Sequence, residues 1–246
     1  MSKTKLRIVQ DFINFNNNKP EGIYLHINEE NIFHNYALII GPKNTPYFGG
    51  FYLFEIKFPR NYPEKNPSVK LLTTGGNIRF NPNLYENGKV CLSILGTWPG
   101  PGWKNIMNLR SVLLSIQSLL NEFPIKNEPG YEDIKSDDII SITYNKYLTY
   151  YNFKIAIISI LKEFSKDNPE KSQFYIFKKE IIEETKKNYK YLSNDLKSYK
   201  LINGIFEVVK CIYFIRSKMI LDFFKLESEF SEIMPLFSKK NELNLI

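Results

Sequence analysis

The sequence predicts an α+β fold in which helices are segregated from a four-stranded antiparallel sheet, followed by a helical C-terminal extension. Two observations support this prediction. Apolar residues recur at helical spacing near the start and again after residue 108, whereas the stretch between holds short aromatic and β-branched runs. After residue 133 these strand signals vanish and helical patterns remain. Separate sets of strands and helices are typical of the α+β class.

The first predicted element is a short amphipathic helix, followed by the strands of the sheet. The apolar residues of the helix recur at helical spacing: Leu6, Val9, Phe12 and Ile13. The predicted strands have the sequences IYLHI, NIFHNYALII, FYLFEIKF and SVKLLTT. Two connectors, GPKNTPYFGG and PRNYPEKNP, hold glycine and proline turn signals. Because connections this short favour neighbouring antiparallel strands, we expect a four-stranded meander.

The third run, FYLFEIKF, shows the alternation expected of a strand. Its two sets of side chains are Tyr52, Phe54, Ile56 and Phe58 on one side and Leu53, Glu55 and Lys57 on the other. Successive side chains of a strand point to opposite faces. The pattern therefore predicts a strand with one buried face.

A long loop follows the sheet, and a clear central helix follows the loop. The apolar face of this helix is made by Leu109, Val112, Leu113, Ile116, Leu119 and Leu120. Ser111, Ser115 and Ser118 lie off this face. The prolines and the glycine of NEFPIKNEPGYE end the helix, because neither residue type continues one readily.

The remainder of the chain is predicted to be helical. Residues 139–165 form one pattern, and Asn168-Pro169-Glu170 is typical of a cap that opens a second helix through about Leu192. A third apolar pattern follows Asn203-Gly204 and runs through Phe224. We divide the chain into a core domain over residues 5–165 and a helical C-terminal extension over residues 166–246.

Composition and charge exclude several classes of protein. Hydrophobic residues make up 43% of the 246 residues, which is enough for a sizeable core. The net charge of +7 is diffuse, with 14 basic against 10 acidic side chains over residues 1–132 and 19 against 16 over residues 133–246. Basic runs such as KKEIIEETKK are broken by acids, which favours solvated helix faces over a nucleic-acid patch. We expect no nucleic-acid partner.

Two cysteines in a chain of this length do not form a disulfide framework, so we expect a reducing compartment. The start, MSKTKLRIVQDF, is too polar for a signal peptide. The apolar stretch IFEVVKCIYFIRSKMILDFF carries five charged residues, so it does not fit a membrane span. These features predict a soluble cytoplasmic or nuclear protein without a membrane partner. The absence of Cys-x-x-Cys, His-x-x-His and Walker-type motifs gives no support for metal or nucleotide binding.

Several spaced motifs carry a resemblance to a known family. FP-RNYP-EKNP is followed by NPN, then by GKVCLSIL, a tryptophan and the helix SVLLSIQSLL. In this order the motifs resemble the ubiquitin-conjugating enzymes, whose UBC domain would cover about residues 5–165. TTGGN, RFNPN, GTWPGPGW and NEPGYE resemble the large Z-type and the giant apollon-type members more closely. The helical tail to about Leu192 also resembles the Z-type extension.

The resemblance implies a carrier function for Cys91. Such enzymes accept ubiquitin or a ubiquitin-like protein from an activating enzyme as a thioester, then pass it to a lysine or to a ligase. ATP is used by the activating enzyme, so no bound cofactor is expected. Attack of a thiolate on a thioester is nearly isoenergetic and sulfur is a good nucleophile, so no histidine is needed.

The resemblance also implies roles for the loop around Cys91. Asn83 precedes Cys91 by eight residues, the family spacing, and its amide would either donate to an oxyanion or brace the loop. Pro82 limits the freedom of the loop, and Gly88 supplies the turn that returns Cys91 beside Asn83. Most members have histidine where this chain has Asn81, a position with a mainly structural role.

Further candidate residues flank this loop. Glu128 falls near the acidic gate of the family, where a carboxylate would orient the incoming amine, and Asn127 competes for the same position. Trp103 matches the tryptophan that braces the site better than Trp98 does. Structural interpretations remain for Trp103 as a packing aromatic and for the asparagines of NPN as turn formers.

The surface that would face a ligase departs from the family pattern. Glu64 stands where many members have an apolar contact residue. Lys104-Asn105-Ile106 replaces the frequent Ser-Pro-Ala. A carboxylate in place of an apolar anchor would weaken a standard RING-domain contact, because a buried unpaired charge is costly. We therefore expect few RING ligases among its partners.

Two alternative functions share these residues. A catalytically inactive scaffold of the same fold would bind ubiquitin or a ligase, although such variants typically lose the cysteine. A thiol hydrolase would need a histidine, but His26 and His34 lie in predicted strands and are expected to be structural. Cys211, within VVKCIYFI, is predicted to be a buried small hydrophobe.

Overall fold

The structure is a computed structural model that describes residues 2–76, 78–208, 212 and 219–238. The elements of the first half are α1 (Lys3–Asn17), β1 (Ile23–His26), β2 (His34–Ile40), β3 (Phe51–Lys57), β4 (Ser68–Leu71) and α2 (Leu109–Leu119). Those of the second half are α3 (Ile139–Tyr151), a π-helical stretch (Asn152–Ser159), α4 (Ile160–Phe164), α5 (Lys178–Asn203), β5 (Ile205–Val208), β6 (Met219–Asp222) and α6 (Phe223–Ser238).

The four-stranded meander is confirmed. The strand order is β1-β2-β3-β4, and every neighbouring pair is antiparallel. In this register Tyr24 opposes Leu38, which opposes Leu53, so these three side chains share one face. Ile39 and Tyr52 lie on the other face. The N-terminal helix, the sheet and the central helix together form the predicted α+β fold.

Helices α1 and α2 are joined by the buried side chain of Asp11. Its carboxylate accepts a hydrogen bond from the backbone N–H of Leu109, the first residue of α2, and pairs with the Arg7 guanidinium at 2.8 Å. Tyr62, from the connection between β3 and β4, donates to the same carboxylate. An acidic group at a helix N-terminus is favourable because the first N–H groups have no intrahelical partner.

Residues 139–164 form a nearly continuous helical segment, in agreement with the predicted pattern, but its middle is π-helical. Asn152 begins this stretch and is buried, donating to the carbonyl of Phe48 and accepting from the Tyr52 hydroxyl. A Cβ atom on Gly50 would lie 1.9 Å from Asn152 Oδ1. Glycine is therefore required at residue 50 for this helix to approach the sheet.

The extension differs from its prediction in three places, one of which is that α5 continues to Asn203 and does not end at about Leu192. The long helix α5 begins at Lys178, because residues 169–171 and 175–177 form separate 3₁₀ turns. The third apolar pattern was expected to be helical, but β5 and β6 pair antiparallel before α6 begins. Gly204 ends α5 with a φ of +49°, and short apolar runs with β-branched residues fit a strand as well as a helix. Cys211 lies outside the described residues.

Helix α5 packs against the face of the sheet that carries Tyr24. The Tyr24 hydroxyl donates to Glu184 Oε1 at 2.9 Å, and the His26 ring meets Phe177 edge to face. Leu53, on the same face, is fully buried. The prediction of one buried face for β3 was therefore wrong at its N-terminal half, where Phe51 through Phe54 are all buried.

The buried residues of α5 lie on one stripe of the helix: Ile181, Thr185, Asn188, Leu192 and Leu196. Leu192 packs against Gly49 in the connection between β2 and β3, since a Cβ on that glycine would lie 2.8 Å from Leu192 Cδ2. The extension and the sheet thus share one hydrophobic core. Within the described ranges, no helix is long and apolar enough to cross a membrane.

A second buried hub lies beneath the loop that precedes Cys91. The Asn81 amide is fully buried and donates to the Tyr47 hydroxyl at 3.0 Å and to the Leu119 carbonyl at 2.8 Å. Its oxygen accepts from the backbone N–H of Asn83 at 2.9 Å and from the Asn127 amide at 3.3 Å. One side chain therefore connects four segments of the chain.

We expect Leu192→Ala to lower the free energy of unfolding of the whole core by about 2–5 kcal/mol, because it leaves a cavity between α5 and the β2–β3 connection. Urea denaturation followed by tryptophan fluorescence measures this, since both tryptophans, Trp98 and Trp103, precede the extension. The matched control Lys190→Ala, on the exposed side of α5, should change stability by less than about 0.5 kcal/mol. An unchanged tryptophan transition in Leu192→Ala would show that the extension folds separately.

We expect Asn81→Leu to destabilise the protein by about 2–4 kcal/mol. The substitution removes the shorter of the two hydrogen bonds to the Leu119 carbonyl and the acceptor of the Asn83 N–H, and each buried group left unsatisfied costs about 1–3 kcal/mol. Thermal and chemical denaturation measure the loss. Asn17→Leu, at an exposed position at the end of α1, is the control. Equal effects of the two substitutions would contradict the hub role of Asn81.

Candidate active site

The loop from Asn81 to Cys91 folds back on itself through a glycine turn. Across the turn, the Tyr85 N–H donates a hydrogen bond to the Lys89 carbonyl at 3.0 Å. Gly88 adopts a φ of +87°, and a Cβ there would lie 2.4 Å from the Leu71 carbonyl of β4. Glycine is required at this position for both reasons. The turn brings Cys91 beside Asn83, as the sequence predicts.

Asn83 and Cys91 are joined by two hydrogen bonds. The Cys91 N–H donates to the Asn83 carbonyl at 2.8 Å, and the Asn83 side-chain amide donates to the Cys91 carbonyl at 2.7 Å. The donor of the amide is thus directed at the backbone of the cysteine. Of the two roles expected for Asn83, this geometry favours bracing the loop over donating to an oxyanion.

The Cys91 thiol is enclosed. The residue is 1% exposed. Burial raises the pKa of the nearby Tyr85 hydroxyl above its ordinary value, the Arg79 guanidinium lowers it in part, and the proximity of Cys91 raises it further. Tyr85 therefore stays protonated at neutral pH.

Arg79 is the second residue of this cluster that the sequence analysis missed. Its guanidinium carbon lies 3.8 Å from the centroid of the Tyr85 ring, and it donates to the carbonyl of Pro82. A signal was present in the sequence, because Arg79 is the only basic residue between Lys70 and Lys89. The contact of Pro82 with Arg79 adds to the restriction of φ that was predicted for this proline.

Glu128 lies in the same cluster, whereas Asn127 does not. One Glu128 carboxylate oxygen is 3.9 Å from Arg79 Nη2, and both side chains are buried. Asn127 instead faces Asn81. Asn127 is thus part of the hub around Asn81. The Glu128 carboxylate lies instead near Tyr85 and Cys91.

Trp103 packs against the connection between β3 and β4, and its predicted role in bracing the site stays a prediction. Its indole N–H donates to the Pro63 carbonyl at 2.7 Å, and its ring packs on Tyr62. These contacts join the connection between β3 and β4, which holds Tyr62, to the loop before α2. They place Trp103 next to the segments that carry Glu64 and Lys104, two of the residues predicted to face a ligase.

The three residues predicted to face a ligase are exposed on these two loops. Glu64 follows Pro63, and Lys104 follows Trp103, so the indole contact brings them to the same region. Ile106 is 86% exposed, an unusual value for a large apolar side chain. The surface thus combines a carboxylate, an ammonium group and an apolar side chain.

The histidines have other partners than Cys91. His34 is 2.9 Å from a Glu55 carboxylate oxygen, and His26 packs on Phe177. These contacts fit the structural role expected for both residues. Over the part of the chain that the structure describes, no group of three or more His, Cys, Asp and Glu side chains could hold a metal ion.

The arrangement is suited to acyl transfer through sulfur. A thiol with a hydroxyl beside it, a braced backbone and a carboxylate within one cluster can accept an acyl group from a thioester and present it to an amine. No imidazole takes part in the contacts described above. The chemistry therefore depends on the reactivity of the sulfur and on an activated acyl donor.

Comparison with known proteins gives matches over the same part of the chain. Residues 7–152 match the ubiquitin-conjugating enzyme family. Ubiquitin-conjugating enzyme E2 Z of Xenopus tropicalis is 46% identical over 159 residues, which cover 64% of this chain and 50% of the relative. The human E2 Z is 44% identical over 158 residues, covering 64% of this chain and 44% of the relative.

A third relative has a very different size. The human dual E2 ubiquitin-conjugating enzyme/E3 ubiquitin-protein ligase BIRC6 is 43% identical over 136 residues, which cover 51% of this chain but only 3% of that protein. The matched stretch spans about half the length of the Z-type relatives. Because the family match covers the sheet, the Cys91 loop and α2, the chain belongs to the ubiquitin-conjugating enzyme family and is similar to its Z-type members.

Proposed function

We propose that this protein is a ubiquitin-conjugating enzyme. It accepts ubiquitin or a ubiquitin-like protein from an activating enzyme as a thioester on Cys91 and transfers it to a lysine or to a ligase. The observation that supports this proposal is the pairing of Cys91 with Asn83 by two hydrogen bonds, in a loop that lies within the family match. Inactive scaffolds of this fold typically lose the cysteine.

The first step exchanges one thioester for another. The Cys91 thiolate attacks the C-terminal carbonyl carbon of ubiquitin, a new C–S bond forms, and the C–S bond to the activating enzyme breaks. The leaving thiolate takes up the proton that Cys91 has lost. No cofactor is needed on this chain, because the activating enzyme uses ATP before the exchange.

The second step, discharge to an amine, is the one for which the surroundings of Cys91 matter most. A tetrahedral oxyanion forms, and the attacking amine must be neutral. Asn83 contributes by holding the Cys91 backbone in place, which keeps the thioester carbonyl in a fixed position. Glu128 contributes a carboxylate within the same cluster, where it orients the incoming amine.

The partners follow from this activity. They are ubiquitin or a ubiquitin-like protein, an activating enzyme, and a ligase or a substrate protein. The diffuse charge supports neither a nucleic-acid nor a membrane partner. A reactive thiol favours a reducing compartment, so we place the protein in the cytoplasm or the nucleus.

We expect Cys91 to form the thioester. The protein is mixed with ATP, ubiquitin and each available activating enzyme, and the products are separated on non-reducing gels. The intact protein should give a shifted band that a reducing agent removes. Cys91→Ala should give none, and Cys91→Ser should give a band that resists reduction, since an oxygen ester replaces the thioester. Repeating the assay with other ubiquitin-like proteins identifies the cargo.

Two outcomes would contradict this function. One is the absence of a band with every activating enzyme and every ubiquitin-like protein, which would support the scaffold function instead. The other is a band that persists in Cys91→Ala. Cys211→Ala is the matched control, because it removes the other cysteine and should leave the shifted band intact.

We also propose that standard RING domains bind this enzyme weakly, because exposed Glu64 occupies the place of an apolar contact. Glu64→Phe should therefore raise the affinity for a panel of RING domains at least about tenfold, measured by titration calorimetry. Glu30→Phe, exposed in the connection between β1 and β2, is the control and should change nothing. Ordinary micromolar RING binding by the unaltered protein would overturn this proposal.

A further inference from the structure

Two contacts tie the segment after α2 to the loop that holds Cys91. The Asn127 amide donates to Asn81 Oδ1 at 3.3 Å, within the hub described above. The next residue along the chain, Glu128, approaches Arg79, with 3.9 Å between its Oε2 and Arg79 Nη2. The first contact holds the backbone of this segment, whereas the second acts on the Glu128 carboxylate itself.

The Arg79 guanidinium is held by the loop on which it lies. It donates to the carbonyl of Pro82, in the Asn-Pro-Asn turn, and its Cζ lies 3.8 Å from the centroid of the Tyr85 ring. A planar fork can stack on a ring and donate within its plane at the same time, which an ammonium group does less well. These contacts therefore set the orientation of the guanidinium that faces Glu128.

Both charged groups are buried. Arg79 is 8% exposed and Glu128 is 5% exposed. A carboxylate that is removed from water loses its solvation and is stabilised by an opposite charge nearby. The guanidinium supplies such a charge at 3.9 Å. Without it, the Glu128 carboxylate would turn toward another donor or toward water.

The same contacts connect Glu128 to the reacting cysteine. Pro82, which accepts from Arg79, precedes Asn83, and Asn83 is joined to Cys91 by two hydrogen bonds. The carboxylate and the cysteine are thus anchored to one short segment, so a shift of the guanidinium changes the position of Glu128 relative to the Cys91 backbone. Misplacing a positioned group by about 1 Å can cost roughly 10²-fold in rate.

We propose that Arg79 is a positioning residue that directs the Glu128 carboxylate toward the incoming lysine and thereby sets the rate of discharge from Cys91. This inference rests on the proposed function. In discharge, the lysine nitrogen forms an amide bond with the C-terminal carbonyl carbon of ubiquitin, the C–S bond to Cys91 breaks, and a proton of the amine passes to the departing thiolate. Arg79 takes no part in this exchange and acts only through Glu128.

The test compares two amines as acceptors of ubiquitin from the charged, full-length protein. Lysine is largely cationic at neutral pH, so a carboxylate attracts it, whereas hydroxylamine is small and uncharged. Charging is stopped, and loss of the thioester band is followed on non-reducing gels. We expect Arg79→Gln and Glu128→Gln each to slow discharge to lysine about tenfold, and to change discharge to hydroxylamine and the rate of charging by less than about twofold.

Two comparisons separate a positioning role from a structural one. In the Glu128→Gln background, Arg79→Gln should slow discharge to lysine no further, because the carboxylate that it directs has been removed. Arg60→Gln is the matched control. It removes a guanidinium that lies 4.3 Å from the Phe33 ring in another part of the chain, and it should leave both discharge rates unchanged.

Three results would overturn the inference. One is an equal loss toward lysine and hydroxylamine in Arg79→Gln, which would show that the substitution distorts the Cys91 loop as a whole. The second is an unchanged lysine rate in Arg79→Gln or in Glu128→Gln. The third is a further loss of lysine discharge when the two substitutions are combined.

Because Arg79 is buried, circular dichroism must first show that Arg79→Gln is folded. If it is not, Arg79→Lys carries the test, since lysine keeps the charge opposite Glu128 but lacks the planar fork. Arg79→Lys should slow discharge to lysine about threefold and leave discharge to hydroxylamine unchanged. A lysine rate equal to that of the unaltered protein would then overturn the inference.

Failure of this inference and failure of the proposed function give different results. The absence of a thioester on Cys91 with every activating enzyme would reject the conjugating activity and the inference together. A thioester that Arg79→Gln passes to lysine as fast as the unaltered protein does would retain the activity and reject the role of Arg79.

Discussion

The buried amide of Asn81 is the constraint on which the architecture of the active site depends. It satisfies a carbonyl at the end of α2, a tyrosine hydroxyl and the backbone N–H of Asn83 with one side chain. The tyrosine hydroxyl and the α2 carbonyl belong to segments that are distant in sequence, so these hydrogen bonds hold the Cys91 loop in place relative to the core. Above it, the Asn83 amide secures the Cys91 backbone. Hydrogen bonds from two buried amides thus hold this loop in one conformation.

The chemistry of the site is built on this rigid base with groups that come from both sides of the loop. Arg79 precedes the Asn-Pro-Asn turn, Tyr85 follows it, and Glu128 approaches from the segment after α2. A cation, an aromatic hydroxyl and a carboxylate are thus gathered next to the Cys91 loop.

The sequence contains enough information for the helices, the meander and the Asn83–Cys91 pair, because periodicity and a glycine turn are local signals. The stack of Arg79 on Tyr85 depends on side-chain directions in three dimensions, which spacing does not specify. The β5–β6 pairing was missed because its apolar residues satisfy both periods. Leu53 could have corrected the prediction for β3. It is an apolar residue on the same face as Glu55 and Lys57, which indicates that this face is covered at the N-terminal end of the strand.

The contact between Tyr24 and Glu184 joins residues that are 160 positions apart. Pairings of this length are formed late and slowly, because a long loop must close before they stabilise anything. During synthesis the sheet emerges well before α5, so one apolar face of it, including Leu38 and Leu53, stays without its cover until the helix is made. A nascent chain of this kind is exposed to aggregation in that interval, and we expect it to depend on chaperones more than a conjugating domain that ends near residue 165.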